Sequence, residues 1–154
     1  MNPPLVVSNS SPLIALAQIG HLNLLEKLFT TVVIPPSVTQ ETTSVVLPAW
    51  VIERPLAQPI GPRILRASLG PGESEAISLA LEVNAQWIIV DDRPARRLAE
   101  TLNLPVLGTL GVLLASKRRG FLSALRPCID VLVNLGFRIA PDLYERVVAD
   151  AGEG

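Results

Sequence analysis

Cysteine and histidine are almost missing from this sequence: Cys128 and His21 are the only examples in 154 residues. A single cysteine excludes an intramolecular disulfide framework and fits a reducing compartment. With one histidine and one cysteine, the chain also lacks the usual ligands of zinc. His21 is expected as a polar cap or surface residue, and Cys128 as a small core residue. Charge is nearly balanced, at a formal −1, so nothing attracts a polyanion globally and any nucleic-acid contact must come from a local basic patch. The longest apolar stretch, residues 104–115, is broken by Pro105, Gly108 and Gly111 and falls short of the roughly 20 residues a membrane span needs. No membrane partner is expected. The first residues show no basic segment leading into an apolar one, so no signal peptide is expected and the expected location is cytoplasmic. What the chain has in excess is apolar residues, at 49% with a mean hydropathy of +0.42. That excess suggests a covered surface, and a homodimer is expected. The length suits one domain over residues 1–154.

Short apolar runs alternate with helical patterns along the chain. Residues 5–8, 31–34, 50–53, 87–90 and 105–108 read as strands, with 50–53 at an edge. The run Trp87-Ile88-Ile89-Val90 is uninterrupted and rich in β-branched residues, as in a strand buried on both faces of a parallel sheet. Between the strands, a helix is predicted from Pro12 to Gly20 with Ser11 as its cap, followed by a second carrying Leu22, Leu25, Leu28 and Phe29. Ser37-Val38-Thr39-Gln40 matches a capping box and places Glu41 just inside a helix. Further helices are predicted over 76–83, from Arg93, from Thr109 to Gly120, over 121–136 and from Pro141. The proline-rich residues 55–62 read as a surface connection, and the tail 152–154 is expected to fray. Regular alternation of strand and helix predicts an α/β chain with a mainly parallel sheet covered by helices.

In such sheets ligands bind beyond the carboxyl ends of the strands. Asn9, Glu41, Asp91 and Asp92 all fall at a predicted strand end or in the helical turn after it, and Glu75 opens the helix before the central strand. Hard oxygen donors without His or Cys suit Mg²⁺ or Mn²⁺. Carboxylates held close together are costly without a cation, and the metal resolves that cost. A carboxylate and metal rim can hydrolyse a phosphodiester without a histidine base. Arg93, Arg96, Arg97, Lys117, Arg118 and Arg119 can supply the phosphate-binding patch that the net charge does not. The glycines of Gly70-Pro71-Gly72 carry neither the Walker Lys-Ser/Thr nor the dinucleotide spacing, which argues against a nucleotide cradle. A phosphoacceptor receiver domain needs its acid pair after the first strands, and here the pair comes late.

Five short motifs occur in order: residues 6–14 (VVSNSSPLI), 33–38 (VIPPSV) with Glu41, 72–77 (GESEAI), Asp91-Asp92-Arg93, and 108–114 (GTLGVLL). Together with the closing residues 138–147 (RIAPDLYERV), they resemble the PIN-domain family, most closely a small prokaryotic VapC-like branch. The resemblance implies a three-layer α/β/α PIN-like fold with a central mainly parallel sheet, and a metal-dependent endoribonuclease using Mg²⁺ or Mn²⁺ and acting on single-stranded RNA. It further implies the toxin of a toxin–antitoxin pair, held by a small antitoxin protein. The family's first acid corresponds to Asn9, its second to Glu41, its third to Glu75 with Glu73 as the alternative, and its fourth to Asp92 or Asp91. Metal ligands are thus expected among Asn9, Glu41, Glu75, Asp91 and Asp92, with Glu41, Glu75 and Asp92 catalytic. Ser10, Arg93, Arg96, Arg97, Thr109, Lys117 and Arg118 are expected to bind substrate. Asn9 stands where the family usually has Asp, which removes one negative charge from the metal site. The alternative is a catalytically weak PIN-like module that binds RNA or a protein partner in a regulatory role.

Overall fold

A computed structural model of the chain describes residues 4–58 and 60–154, and for Ile60 the backbone only. The described residues form five strands, β1 (Val6–Ser8), β2 (Val32–Ile34), β3 (Val51–Glu53), β4 (Trp87–Ile89) and β5 (Val106–Leu107). Between and after them run the helices α1 (Ser10–Gln18), α2 (Leu24–Phe29), α3 (Pro36–Glu41), α4 (Ile60–Leu65), α5 (Pro71–Glu82), α6 (Arg93–Thr101), α7 (Thr109–Arg118), α8 (Arg126–Asn134) and α9 (Pro141–Asp150). All strand pairs are parallel, in the order β3-β2-β1-β4-β5. The chain winds outward from β1 in one direction, then crosses back to β4 and continues the other way. The switch point, where such sheets open a crevice, therefore lies between the carboxyl ends of β1 and β4.

Alternate residues of the central strands feed two cores. Val6, Val32, Ile34 and Ile89 pack with α1, α2, α7, α8 and α9, whereas Val7, Val33, Ile88 and Val90 pack with α5 and α6. This is the period-two consequence of a strand covered on both faces, and it gives the three-layer α/β/α arrangement. Ile88 and Ile89 are both fully buried, each worth roughly 1.5–3 kcal/mol of transfer free energy. Asn84 and Asn103, at φ 52° and 62°, end α5 and α6 in the left-handed conformation that asparagine tolerates.

Several boundaries depart from the sequence reading, and proline accounts for most of them. α3 begins at Pro36, so Ser37 is not its cap and Glu41 is its last residue. α5 begins at Pro71, five residues before the predicted start. Proline is favoured in a first helical turn, where its missing N–H costs nothing. For the same reason one helix cannot run over 121–136. Pro127 would clash with the turn before it, and α8 starts at Arg126 instead. α1 starts at Ser10, which moves the N-cap position from Ser11 to Asn9. The 55–62 connection includes Pro59, outside the described residues; its described part is pinned by Glu82, which accepts from the N–H groups of Ala57 (2.9 Å) and Gln58 (2.8 Å), and it turns into α4 at Ile60.

The tail is also tied down. Glu153 accepts from the N–H groups of Leu125 (2.7 Å) and Arg126 (3.1 Å) at the start of α8 and from Lys117 Nζ (3.1 Å). Those backbone donors, with Lys117, hold its carboxyl below the usual value. Cys128 is buried in the larger core, as expected. Among the described residues no helix is long and apolar enough to cross a membrane.

Candidate active site

Asn9 leaves β1 at φ −80°, ψ 172° and donates its backbone N–H to the carbonyl of Ile89 (2.9 Å), which locks the ends of β1 and β4 together. Its side chain makes no cap bond to α1. Asn9 is 2% exposed, and its Oδ1 is buried with no partner among the described residues. A buried carbonyl oxygen without a donor costs free energy unless something else answers it.

The next residue begins a chain of contacts along the rim. Ser10 Oγ donates to Glu41 Oε1 (3.0 Å), and the N–H of Gly72 donates to Glu41 Oε2 (3.2 Å). Glu41 thus reaches from the end of α3 to the first turn of α5. One residue further along that turn, Glu73 accepts from the N–H of Gly70 at 3.4 Å through Oε1, while its Oε2 is buried without a donor. Burial first, then the facing Asp92 carboxylate and Glu41, push the Glu73 carboxyl from 4.5 up to about 7. Asp92 caps α6 by accepting from the N–H of Ala95 (3.3 Å) and is otherwise exposed. Glu41, Glu73 and Asp92 therefore form one electrostatic group at the switch point.

Glu75 and Asp91 are placed differently. Residues two apart on a helix point about 200° apart, so with α5 starting at Pro71 the side chains of Glu73 and Glu75 diverge. Glu75 accepts from the N–H (2.9 Å) and the hydroxyl of Ser37 at the start of α3 and lies 3.8 Å from Arg66. Through these contacts its carboxylate joins α3 to α5. Asp91 accepts from the N–H (2.8 Å) and hydroxyl (2.6 Å) of Thr109. Thr109 is fully buried, so its polar groups are spent on Asp91 at the start of α7.

A cleft of about 850 Å³ opens beside Asp91 and Asp92; its lining includes Arg93, Arg96, Arg97 and Arg138 and apolar residues such as Leu107, Leu110 and Phe137. Ser11 also reaches it. Lys117 does not line it: its Nζ is held by Glu153 and by the carbonyl of Ser123 (2.9 Å). Arg118 is exposed at the far end of α7. A helix rising about 1.5 Å per residue carries its last turn well over 10 Å from Thr109. Arg119 stacks over Phe121, 5.3 Å from the ring centre, away from the cleft.

Glu73 was legible from Pro71, because a helix with proline at its first position puts Glu73 at the third and separates it from Glu75. Arg138 had no local signal; the packing of α9 against α7 brings it to the cleft.

Hard oxygen donors face the rim, and two of them, Asn9 Oδ1 and Glu73 Oε2, are buried without partners. This donor chemistry fits a hard divalent cation. Among the described residues no three His, Cys, Asp or Glu side chains already form a closed metal-binding group. Glu73 is coupled to both Asp92 and Glu41, and Asn9 brings an amide where the others bring carboxylates.

A family model described as PIN domain matches residues 5–153. No curated protein and no solved structure matches the chain.

Proposed function

The chain belongs to the PIN-domain family, and on that premise we propose that it is a metal-dependent endoribonuclease whose working acids are Glu41, Glu73 and Asp92. PIN domains in general point to nuclease activity and use divalent metal ions. The observation that carries the proposal is the electrostatic coupling of Glu73 to Asp92 and Glu41, next to a cleft whose lining includes arginines. Asn9, Glu41, Glu73 and Asp92 would hold Mg²⁺ or Mn²⁺. Bound there, the ion supplies charge neutralisation, polarisation of a phosphoryl oxygen and a lowered pKa for water.

The chain's own residues do the rest. Arg93, Arg96, Arg97 and Arg138 hold the phosphates of a single-stranded RNA along the cleft. The apolar residues of the cleft accept unstacked bases, which a duplex cannot present. Ser10 and Gly72 fix the Glu41 carboxylate, and the Glu73 carboxyl, partly buried and facing Asp92, holds its proton up to about pH 7. Asp91, Thr109 and Glu75 build the frame that holds these groups. Purified protein incubated with a single-stranded RNA and MnCl₂ or MgCl₂ should cut the strand, and Asp92→Asn should abolish cutting. Metal-dependent cleavage that survives in Asp92→Asn would show that the rim is not the site.

We extend the reading to a cytoplasmic toxin restrained by a small antitoxin protein, in one PIN-domain unit over 1–154. Growth arrest on expression, relieved by a small neighbouring open reading frame, tests it. Exposed Val131 and Val133 on α8 and Leu135 just past its end favour a homodimer, which sedimentation checks. One observation favours a second reading, a binding module with little catalysis: Asn9 contributes no charge to the rim. Tight RNA binding without metal and without cleavage supports that reading, and cleavage at native Asn9 opposes it.

A further inference from the structure

Gly72 occupies the second position of α5, with no left-handed φ to call for glycine. Alanine is the better helix former at such a position, so backbone conformation does not account for the residue. Space does. A Cβ built on Gly72 would fall inside the Glu41 carboxylate, in contact with both of its oxygens. The contact is also a bond, because the Gly72 N–H donates to Glu41 Oε2 at 3.2 Å while Ser10 holds Oε1 at 3.0 Å. Gly72 is buried, and the residue after it is Glu73.

We propose that Gly72 is a positioning residue: the notch left by its missing side chain seats the Glu41 carboxylate against the first turn of α5, beside Glu73, and so assembles the acid rim. Glu41 comes from the end of α3, an exposed residue on a six-residue helix. Its side chain has several torsions to fix, and the described contacts that fix it are the Ser10 hydroxyl and the Gly72 notch. A methyl group at position 72 removes the second by volume and leaves the first unable to define where the carboxylate lies. The part played by Glu41 in holding a cation rests on the function proposed above; the steric coupling of Gly72 to Glu41 does not.

Four full-length proteins separate the two: wild type, Gly72→Ala, Glu41→Ala and the double variant. Each is titrated with MnCl₂ by calorimetry and melted without metal. Gly72→Ala should weaken Mn²⁺ binding about tenfold, the size expected for loss of a positioning contact behind a ligand. In the Glu41→Ala background the same alanine should leave Mn²⁺ affinity unchanged. It should also raise the melting temperature by about 2 °C there, because the helix gains and nothing is displaced. In wild type that gain should be cancelled or reversed, the non-additivity that marks direct contact.

Equal effects of Gly72→Ala on melting in both backgrounds would overturn the proposal, whatever the metal does. Additive melting together with an Mn²⁺ loss that persists without Glu41 would likewise overturn it. If wild type binds no Mn²⁺ but the melting temperatures remain non-additive, the positioning role stands and the metal reading fails.

Discussion

Glu73 with Glu75 and Asp91 with Asp92 look like two versions of one feature, an acid pair at the start of a helix, yet each pair divides its labour. Glu75 and Asp91 accept strong bonds from Ser37 and Thr109 and tie one helix start to another element. Glu73 instead meets the Asp92 carboxylate. The difference is in supply of donors. Where N–H and O–H groups surround a carboxylate it becomes structure, and where another carboxylate faces it the pair keeps an affinity for a proton or a cation. Acid residues at a strand end are therefore a site only after their donors have been counted.

The sharpest way to break this comparison is to neutralise one acid of each pair. Asp92→Asn keeps a side chain able to cap α6 and should reduce RNA cleavage by at least about a hundredfold, the scale of losing a charge-stabilising group, with little change in melting temperature. Asp91→Ala should do the opposite in kind, costing about 1–3 kcal/mol in urea unfolding because the buried Thr109 N–H and hydroxyl lose their acceptor. If both variants lose activity with equal stability, the division is wrong. Within α5, Glu73→Gln should abolish the calorimetric Mn²⁺ signal, whereas Glu75→Gln should retain Mn²⁺ binding and destabilise by about 1 kcal/mol, its charge-assisted bonds to Ser37 being partly open to solvent.

The pH dependence follows from the same contrast. The Glu73 carboxyl titrates near 7 in the fold against an ordinary 4.5, so the folded state holds the proton more tightly than the unfolded chain. Its stabilising contribution is full below about 4.5 and lost as pH rises through about 7. Metal-free protein should therefore become less stable over that window, and Glu73→Gln should flatten the profile. Glu153 has the opposite sign: its lowered carboxyl contributes above its ordinary value and is lost in acid. Glu153→Gln should leave a shallower acid limb in the same measurement. A smaller effect belongs to Arg138. Arg138→Ala should weaken RNA binding modestly and reduce the slope of log affinity against log salt by about 0.7, one single-strand phosphate contact, while leaving Mn²⁺ affinity unchanged.

Asn9→Asp tests the amide that sets this rim apart. It should tighten Mn²⁺ binding and raise cleavage, since it returns a charge to a buried oxygen that has no partner. In metal-free protein the same change should destabilise, because it adds a fourth carboxylate to Glu41, Glu73 and Asp92.

Much of this was readable from residue order alone. β-branched apolar runs dictated strands covered on both faces, their alternation with helices dictated a parallel sheet, and turn residues at the strand ends marked the rim where Asn9, Glu41 and Asp92 lie. Those properties depend on neighbours along the chain, where periodicity and proline act. The divergence of Glu73 from Glu75 hung on one helix start, since a shift of two residues turns a side chain to the opposite face. The engagement of Asp91 by Thr109, of Glu75 by Ser37 and of Lys117 by Glu153, and the arrival of Arg138 at the cleft, were decided only by tertiary structure. Each joins positions brought together by packing across the sheet or between helices, and a carboxylate's fate depends on the donors that reach it, which no local pattern records.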